Sequence, residues 1–345
     1  MKWRLFRREF QIYFLVNFIM VGLFIFFRFQ IELSHPSFLN HLTDLSVLQQ
    51  FQLGLFSALF VSLLLATLFS LFDVFVLNQI LFKRSLRFVL SVGLLGHAIF
   101  IALVMFIMLD VFRFMVDHLS LNRVLAFELE QILPITIILI ILSFGSRLFI
   151  EIDRKLGPGN LGRLITARFY TPREVQRIFM FVDLRDSTGI AERLGHLRYS
   201  SFLQDCFQDF AIVDEYCAEI YQYVGDEAVI SWSLEKGTKS HNFLAAFFAY
   251  KRLLKSRSEY YLKKYGIVPY FKAGLNSGPV VVTEVGAIKR ELSFHGDTLN
   301  TASRIQGKCN ELGAQVLIPE NLYIHVKDNP AYVLKEKIRK FDYIK

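Results

Sequence analysis

The chain has 345 residues, 53% of them hydrophobic, with 36 phenylalanines and a formal net charge of +8. That is too apolar for an ordinary soluble protein, and the excess is local: residues 1–150 hold most of the long apolar runs, while the rest has the makeup of one globular domain. The charge is thinly spread, 11 Lys+Arg against 8 Asp+Glu up to residue 150 and 28 against 23 beyond it, which argues against nucleic-acid binding by either half.

Four stretches reach the roughly 20 apolar residues that crossing a bilayer requires: Phe10 to Phe29, Phe51 to Leu77, Leu86 to Leu109 and Ile132 to Ile150. The first is too long for a cleavable signal peptide, and no small-residue cleavage site precedes the next span. Lys2, Arg4, Arg7 and Arg8 precede the first span, Lys83, Arg84 and Arg87 lie between the second and third, and Arg154, Lys155, Arg163 and Arg168 follow the fourth. The loop from Gln30 to Gln50 has no Lys or Arg. This bias predicts a multi-pass protein of the cell (inner) membrane, in contact with its lipid, with both termini cytoplasmic.

Polar residues inside the spans are few. Arg28 and Asp110 are near enough to span ends to snorkel. Asp73 lies near the inner end of the second span and His97 is more central. An ionisable group at such depth is a functional suspect, and an interhelical hydrogen bond is the favoured role for His97. No span carries the repeated charge pattern of a transporter or voltage sensor, so the membrane half is expected to anchor, dimerise or sense.

Residues 151–172 are expected to link a membrane domain (1–150) to a soluble domain (173–345). Gly157-Pro158-Gly159 breaks any helix continuing from the fourth span, and Leu161 to Phe169 has an amphipathic pattern closed by Pro172. Beyond the linker, strand and helix patterns alternate. A strand runs to Asp183, and a helix covers Ser187 to Cys206 or beyond. A hairpin turns at Gly225-Asp226 into Ala228 to Trp232, and a long helix runs from about Ser240 to Tyr265. Strands at Tyr270 to Asn276 and Val280 to Val285 flank a turn at Ser277-Gly278-Pro279, before a helix from Thr298 to Leu312 and a strand from Gln315 to Ile318. This order predicts a split β-α-β, ferredoxin-like α+β sheet with helices on one face. Cys206, Cys217 and Cys309 all fall in this half without paired spacing, and read as reduced, buried thiols.

The chemistry-bearing residues sit at strand ends. Asp183 closes one apolar run, and Asp226 closes another. Two carboxylates at neighbouring strand ends can share a pair of Mg²⁺ ions, the arrangement used for in-line attack on a phosphate. After Asp183, the stretch Leu184 to Thr188 starts a helix, with Asp186 and Ser187 as capping candidates. Its backbone N–H groups can receive an anion, which makes Leu184, Ser187 and Thr188 substrate-binding candidates. Gly296-Asp297-Thr298 supplies a turn and cap before a helix that places Asn300 and Arg304 on one face.

These three segments resemble, in order, the motifs of class III nucleotidyl cyclases, the family of most adenylyl and guanylyl cyclases. The resemblance covers 176 to about 320. It implies that Asp183 and Asp226 hold two Mg²⁺ or Mn²⁺ ions, that Asn300 orients the ribose, and that Arg304 stabilises charge on the phosphates. It also implies a head-to-tail homodimer, each of whose sites takes metals from one chain and Asn/Arg from the other. The residues that read the base in the family are Gln222 and Ser293 here, in place of a Lys and an Asp or Thr. Each can donate or accept, so they can serve adenine without excluding guanine. The family's triphosphate-binding lysine near the chain end has no assigned counterpart among Lys335, Lys337 and Lys340. The reading is a membrane-anchored adenylyl cyclase acting on ATP. Its rivals are a guanylyl cyclase and a catalytically silent cyclase-like receptor.

Overall fold

Phenylalanines four apart build the first helix. Phe6, Phe10, Phe14 and Phe18 stack in sequence along one side of it, with ring centroids 5.7 to 6.0 Å apart. The computed structural model describes residues 2–34, 47–78, 85–115, 133–156, 171–288, 290–330 and 332. Its chain divides into two units, Lys2–Lys155 and Leu156–Lys345. The N-terminal unit contains α1 (Lys2–Ser34), α2 (Val47–Leu71), α3 (Leu86–Met115) and α4 (Leu133–Leu156). Among the described residues four helices are long and apolar enough to cross a membrane, and α2 ends in a wider π-helical turn, Phe72–Leu77.

This bundle exposes large apolar side chains and buries, beside an apolar core of Val61, Leu65, Phe69 and Ile101, a cluster of polar ones. Phe56, Leu95 and Ile141 point outward, each more than 60% exposed. Asp73, on the π-helical turn, is fully buried and gathers three helices: Tyr13 Oη donates to its Oδ2 (2.5 Å), Arg147 Nη1 pairs with the same oxygen (2.8 Å), and His97 Nε2 lies 3.2 Å from Oδ1. His97 Nδ1 meets Ser143 Oγ at 3.2 Å. Arg147 continues to Glu151 (2.6 Å), and Arg154 joins Glu9, Glu151 and Asn78. The interhelical role expected of His97 is thus present, while Arg147 and Glu9 enlarge it in a way the sequence reading missed. Gly96 permits the close approach, since a Cβ there would sit 2.4 Å from the Phe72 ring. The expected linker segment 157–170, most loop cations, the C-terminal lysines, and the side chains of Arg28 and Asp110 lie outside the described residues.

The C-terminal unit is an α+β domain on a six-stranded sheet of order β2-β3-β1-β4-β5, with β6 pairing parallel to β4. Its elements are β1 (Arg173–Leu184), α5 (Ser187–Phe210), β2 (Glu219–Val224), β3 (Glu227–Ser233), α6 (Leu234–Thr238), α7 (Asn242–Ser256), α8 (Ser258–Tyr265), β4 (Phe271–Val285), β5 (Glu291–His295), α9 (Asp297–Glu311), β6 (Val316–Leu317) and α10 (Glu320–Tyr323). β1 is central and buried on both faces, which explains its unbroken apolar run. Ile178, Met180, Val182 and Leu184 pack with Phe202, Phe210, Phe247 and Tyr250 from the helices. Phe179 and Phe181 pack on the other face with Val280 and Ala302 of α9.

Several expectations need correcting. The helix expected from Ser240 to Tyr265 is two helices, because the chain breaks at Arg257, whose guanidinium pairs with Asp209 and covers the Tyr260 ring. The turn expected at Ser277-Gly278-Pro279 is absent. β4 runs straight through it, with Ser277, Gly278 and Pro279 in register opposite Ile178, Arg177 and Gln176 of β1. Strand β5 was not expected, since Glu291 to His295 lacks a long apolar run. Helices also cover both sheet faces, not one. Of the three free thiols, Cys206 and Cys309 are buried and Cys217 is only half-buried.

Candidate active site

The sheet register places the carboxylates. Asp183, near the end of β1, has Glu227 of β3 as its cross-strand neighbour on one side and Lys272 of β4 on the other. Asp226 occupies the two-residue turn that leads into Glu227. Burial first, and then the nearby Asp226 charge, raise the Asp183 carboxyl above its ordinary value. Burial together with Asp183 and Asp226 pushes Glu227 up to about 7. The Asp183 and Glu227 carboxyls, raised by burial and by neighbouring negative charge, stand beside Asp226 at one strand end, where a cation would relieve the repulsion.

Two contacts at Asp183 escaped the sequence reading. Gln306 Nε2 donates to Asp183 Oδ2 at 3.0 Å, and Lys272 Nζ lies 3.4 Å from the same oxygen. Lys272 is buried and also donates to Asn310 Oδ1 at 2.8 Å. No spacing rule links residues 183, 272 and 306. The signal for Lys272 is a cation between Phe271 and Ala273, both buried in the core.

The other candidates divide into groups. Ser187 opens α5 three residues after Leu184, and Thr188 is exposed beside it. Asp186 occupies the capping position with a left-handed backbone (φ 57°), yet its side chain makes no capping bond. No side-chain cap therefore competes for an anion at this helix start. Leu184 itself is buried in the core. Asn300 and Arg304 are exposed on α9 and, among the described residues, form no side-chain hydrogen bond or ion pair. Gln222 on β2 is exposed and Ser293 on β5 half-buried, on the two opposite edges of the sheet. The edges curl toward each other: Tyr221 and Phe294, the chain neighbours of these residues, bring their rings within 5.1 Å above Phe179.

Among the described residues no group of three His, Cys, Asp or Glu side chains forms a metal cage. The donor set fits Mg²⁺ or Mn²⁺ of another kind, since such ions are commonly held by one or two carboxylates completed by substrate phosphates and water.

The family model for the adenylate and guanylate cyclase catalytic domain matches residues 171–339. This segment is a class III cyclase domain. Adenylate cyclase 2 of Rhizobium meliloti (strain 1021) is 35% identical over 176 residues, covering 51% of this chain and 48% of that protein. Adenylate cyclase 1 of the same organism is 29% identical over 156 residues, covering 43% of this chain and 23% of that protein. The chain therefore spans half or less of the length of these curated relatives. Among solved structures, a bacterial light-regulated adenylyl cyclase aligns over 57% of this chain and 58% of its own, at 18% identity and a TM-score of 0.47. Within the cyclase domain, the motifs read from sequence fall on β1, the β2–β3 hairpin and α9.

Proposed function

We propose that the protein is a membrane-anchored, homodimeric adenylyl cyclase that converts ATP to 3′,5′-cyclic AMP and pyrophosphate. The observation that carries this reading is the meeting of Asp183 and Asp226 at one strand end, while Asn300 and Arg304 stand unengaged on the exposed face of α9. Two Mg²⁺ or Mn²⁺ ions held by Asp183 and Asp226 would acidify the ribose 3′-hydroxyl and neutralise the departing pyrophosphate. The start of α5, with Ser187 and Thr188, receives phosphate oxygens on its backbone N–H groups. Buried Lys272 adds a fixed positive charge beside an anionic substrate. Arg304 places a guanidinium where charge develops, and its loss should cost about 10²- to 10³-fold in rate.

That Asn300 and Arg304 have no side-chain partner within their own chain among the described residues supports a site that takes them from a second copy. The apolar exterior of the bundle supports a multi-pass membrane anchor, and the Lys/Arg bias supports cytoplasmic termini.

ATP is favoured over GTP because the curated relatives are named adenylate cyclases, and because the Ser293 hydroxyl can stand in for a base-reading Thr. Gln222 can turn its amide to either purine edge. Gln222→Lys should therefore sharpen the ATP preference by about 1–2 kcal/mol, the worth of one hydrogen bond from a charged donor. Competition between ATP and GTP on the full-length protein with Mn²⁺ tests both statements. A wild type that cyclises GTP faster than ATP overturns the adenylyl reading.

A further inference from the structure

Helix α9 works on two sides. Its outer side presents Asn300 and Arg304; its inner side grips the start of β4. A Cβ on Gly274 would sit 2.1 Å from the backbone nitrogen of Gln306, so helix and strand backbones touch there. Cys309 Sγ reaches Ala273 O at 3.4 Å, and Lys272 binds Asn310 one turn further on. Gln306 is thereby fixed, 7% exposed, with its amide aimed at Asp183 Oδ2.

We infer that Gln306 is a positioning residue for the metal carboxylate. By occupying Oδ2 with an N–H donor, it sets the rotation of the Asp183 carboxylate and leaves Oδ1 to face a cation. A ligand held in this way loses little freedom when the ion arrives, and partners of this kind typically contribute ten- to a hundredfold in metal affinity. Gln306 touches neither substrate nor ion and acts only through Asp183. One rigid helix thus orients a metal ligand in its own chain while offering Asn300 and Arg304 to another site. The inference rests on the proposed metal role of Asp183.

The test is the affinity of the full-length protein for Mn²⁺ alone, read from the electron paramagnetic resonance signal of the free ion. Gln306→Met keeps the length and removes the donor. It should weaken Mn²⁺ binding about ten- to a hundredfold. Gln306→Asn keeps the amide but withdraws it by one methylene, preserves a buried polar group, and should weaken binding several-fold. Asp183→Asn should weaken it at least as much as Gln306→Met. Wild-type affinity in whichever Gln306 variants fold, with affinity lost in Asp183→Asn, overturns the inference and leaves the metal reading standing. Wild-type affinity in Asp183→Asn overturns the metal reading and the inference with it.

Discussion

At the scale of residues, negative charge gathers at one strand end, where Asp183, Asp226 and Glu227 meet. Asp183→Asn and Asp226→Asn each remove one anionic ligand without changing side-chain size. Both variants should lose cyclic AMP production in Mg²⁺ while keeping the thermal transition of the cyclase domain. Near-normal turnover by either contradicts the assignment of two metal carboxylates. Glu227 gives a second, metal-free reading. Its carboxyl is pushed up to about 7 from an ordinary 4.5, so the folded domain binds a proton that the unfolded chain has released. The stability this provides is complete below about pH 4.5 and is lost as pH rises through about 7. Glu227→Gln removes the dependence. The melting temperature of Glu227→Gln minus that of wild type should therefore climb between pH 5 and pH 8 in chelator, and a flat difference contradicts the shift. Asp183, Asp226, Asn300 and Arg304 could be proposed from the sequence because each lies in a short motif. Lys272 and Gln306 were not, because cross-strand register and helix packing bring them to Asp183 from far along the chain.

At the scale of elements, periodicity served well where one rule decided the structure. The four apolar helices, β1, the β2–β3 hairpin and α9 appear close to where composition put them. It failed where tertiary packing overrode local signals. Ser277-Gly278-Pro279 reads as a turn, yet pairing along the whole of β1 holds it extended, and Gly278 leaves room for Thr298 Oγ1, which would lie 2.7 Å from a Cβ there. At the break, Arg257 pairs with Asp209, a partner 48 positions away. In the bundle, Asp73 was legible as an oddity, but its Arg147 partner on α4 was not. Removing one member of a buried ion pair leaves the other charge uncompensated, at a cost of about 3–5 kcal/mol. Asp73→Asn and Arg147→Met should each lower the melting temperature of the bundle in detergent micelles. The double variant should be less destabilised than the sum of the two. Strict additivity contradicts a direct Asp73–Arg147 pairing.

At the scale of the whole molecule, the proposed function requires two chains, because neither alone would hold a complete active site. Asp183 and Asp226 stand at the β1 end and the β2–β3 turn and Asn300 and Arg304 on the exposed side of α9, and the proposed reaction uses both sets. The most direct measurement mixes two inactive full-length proteins, Asp183→Asn and Arg304→Ala, under conditions that exchange subunits. A mixed dimer rebuilds one intact site from the unaltered halves. With equal amounts and random pairing, half of the dimers are mixed and each has one of two sites, so cyclic AMP production should recover to about a quarter of wild type. Silence from the mixture, with mixed dimers demonstrated by differential tags, would contradict the shared site.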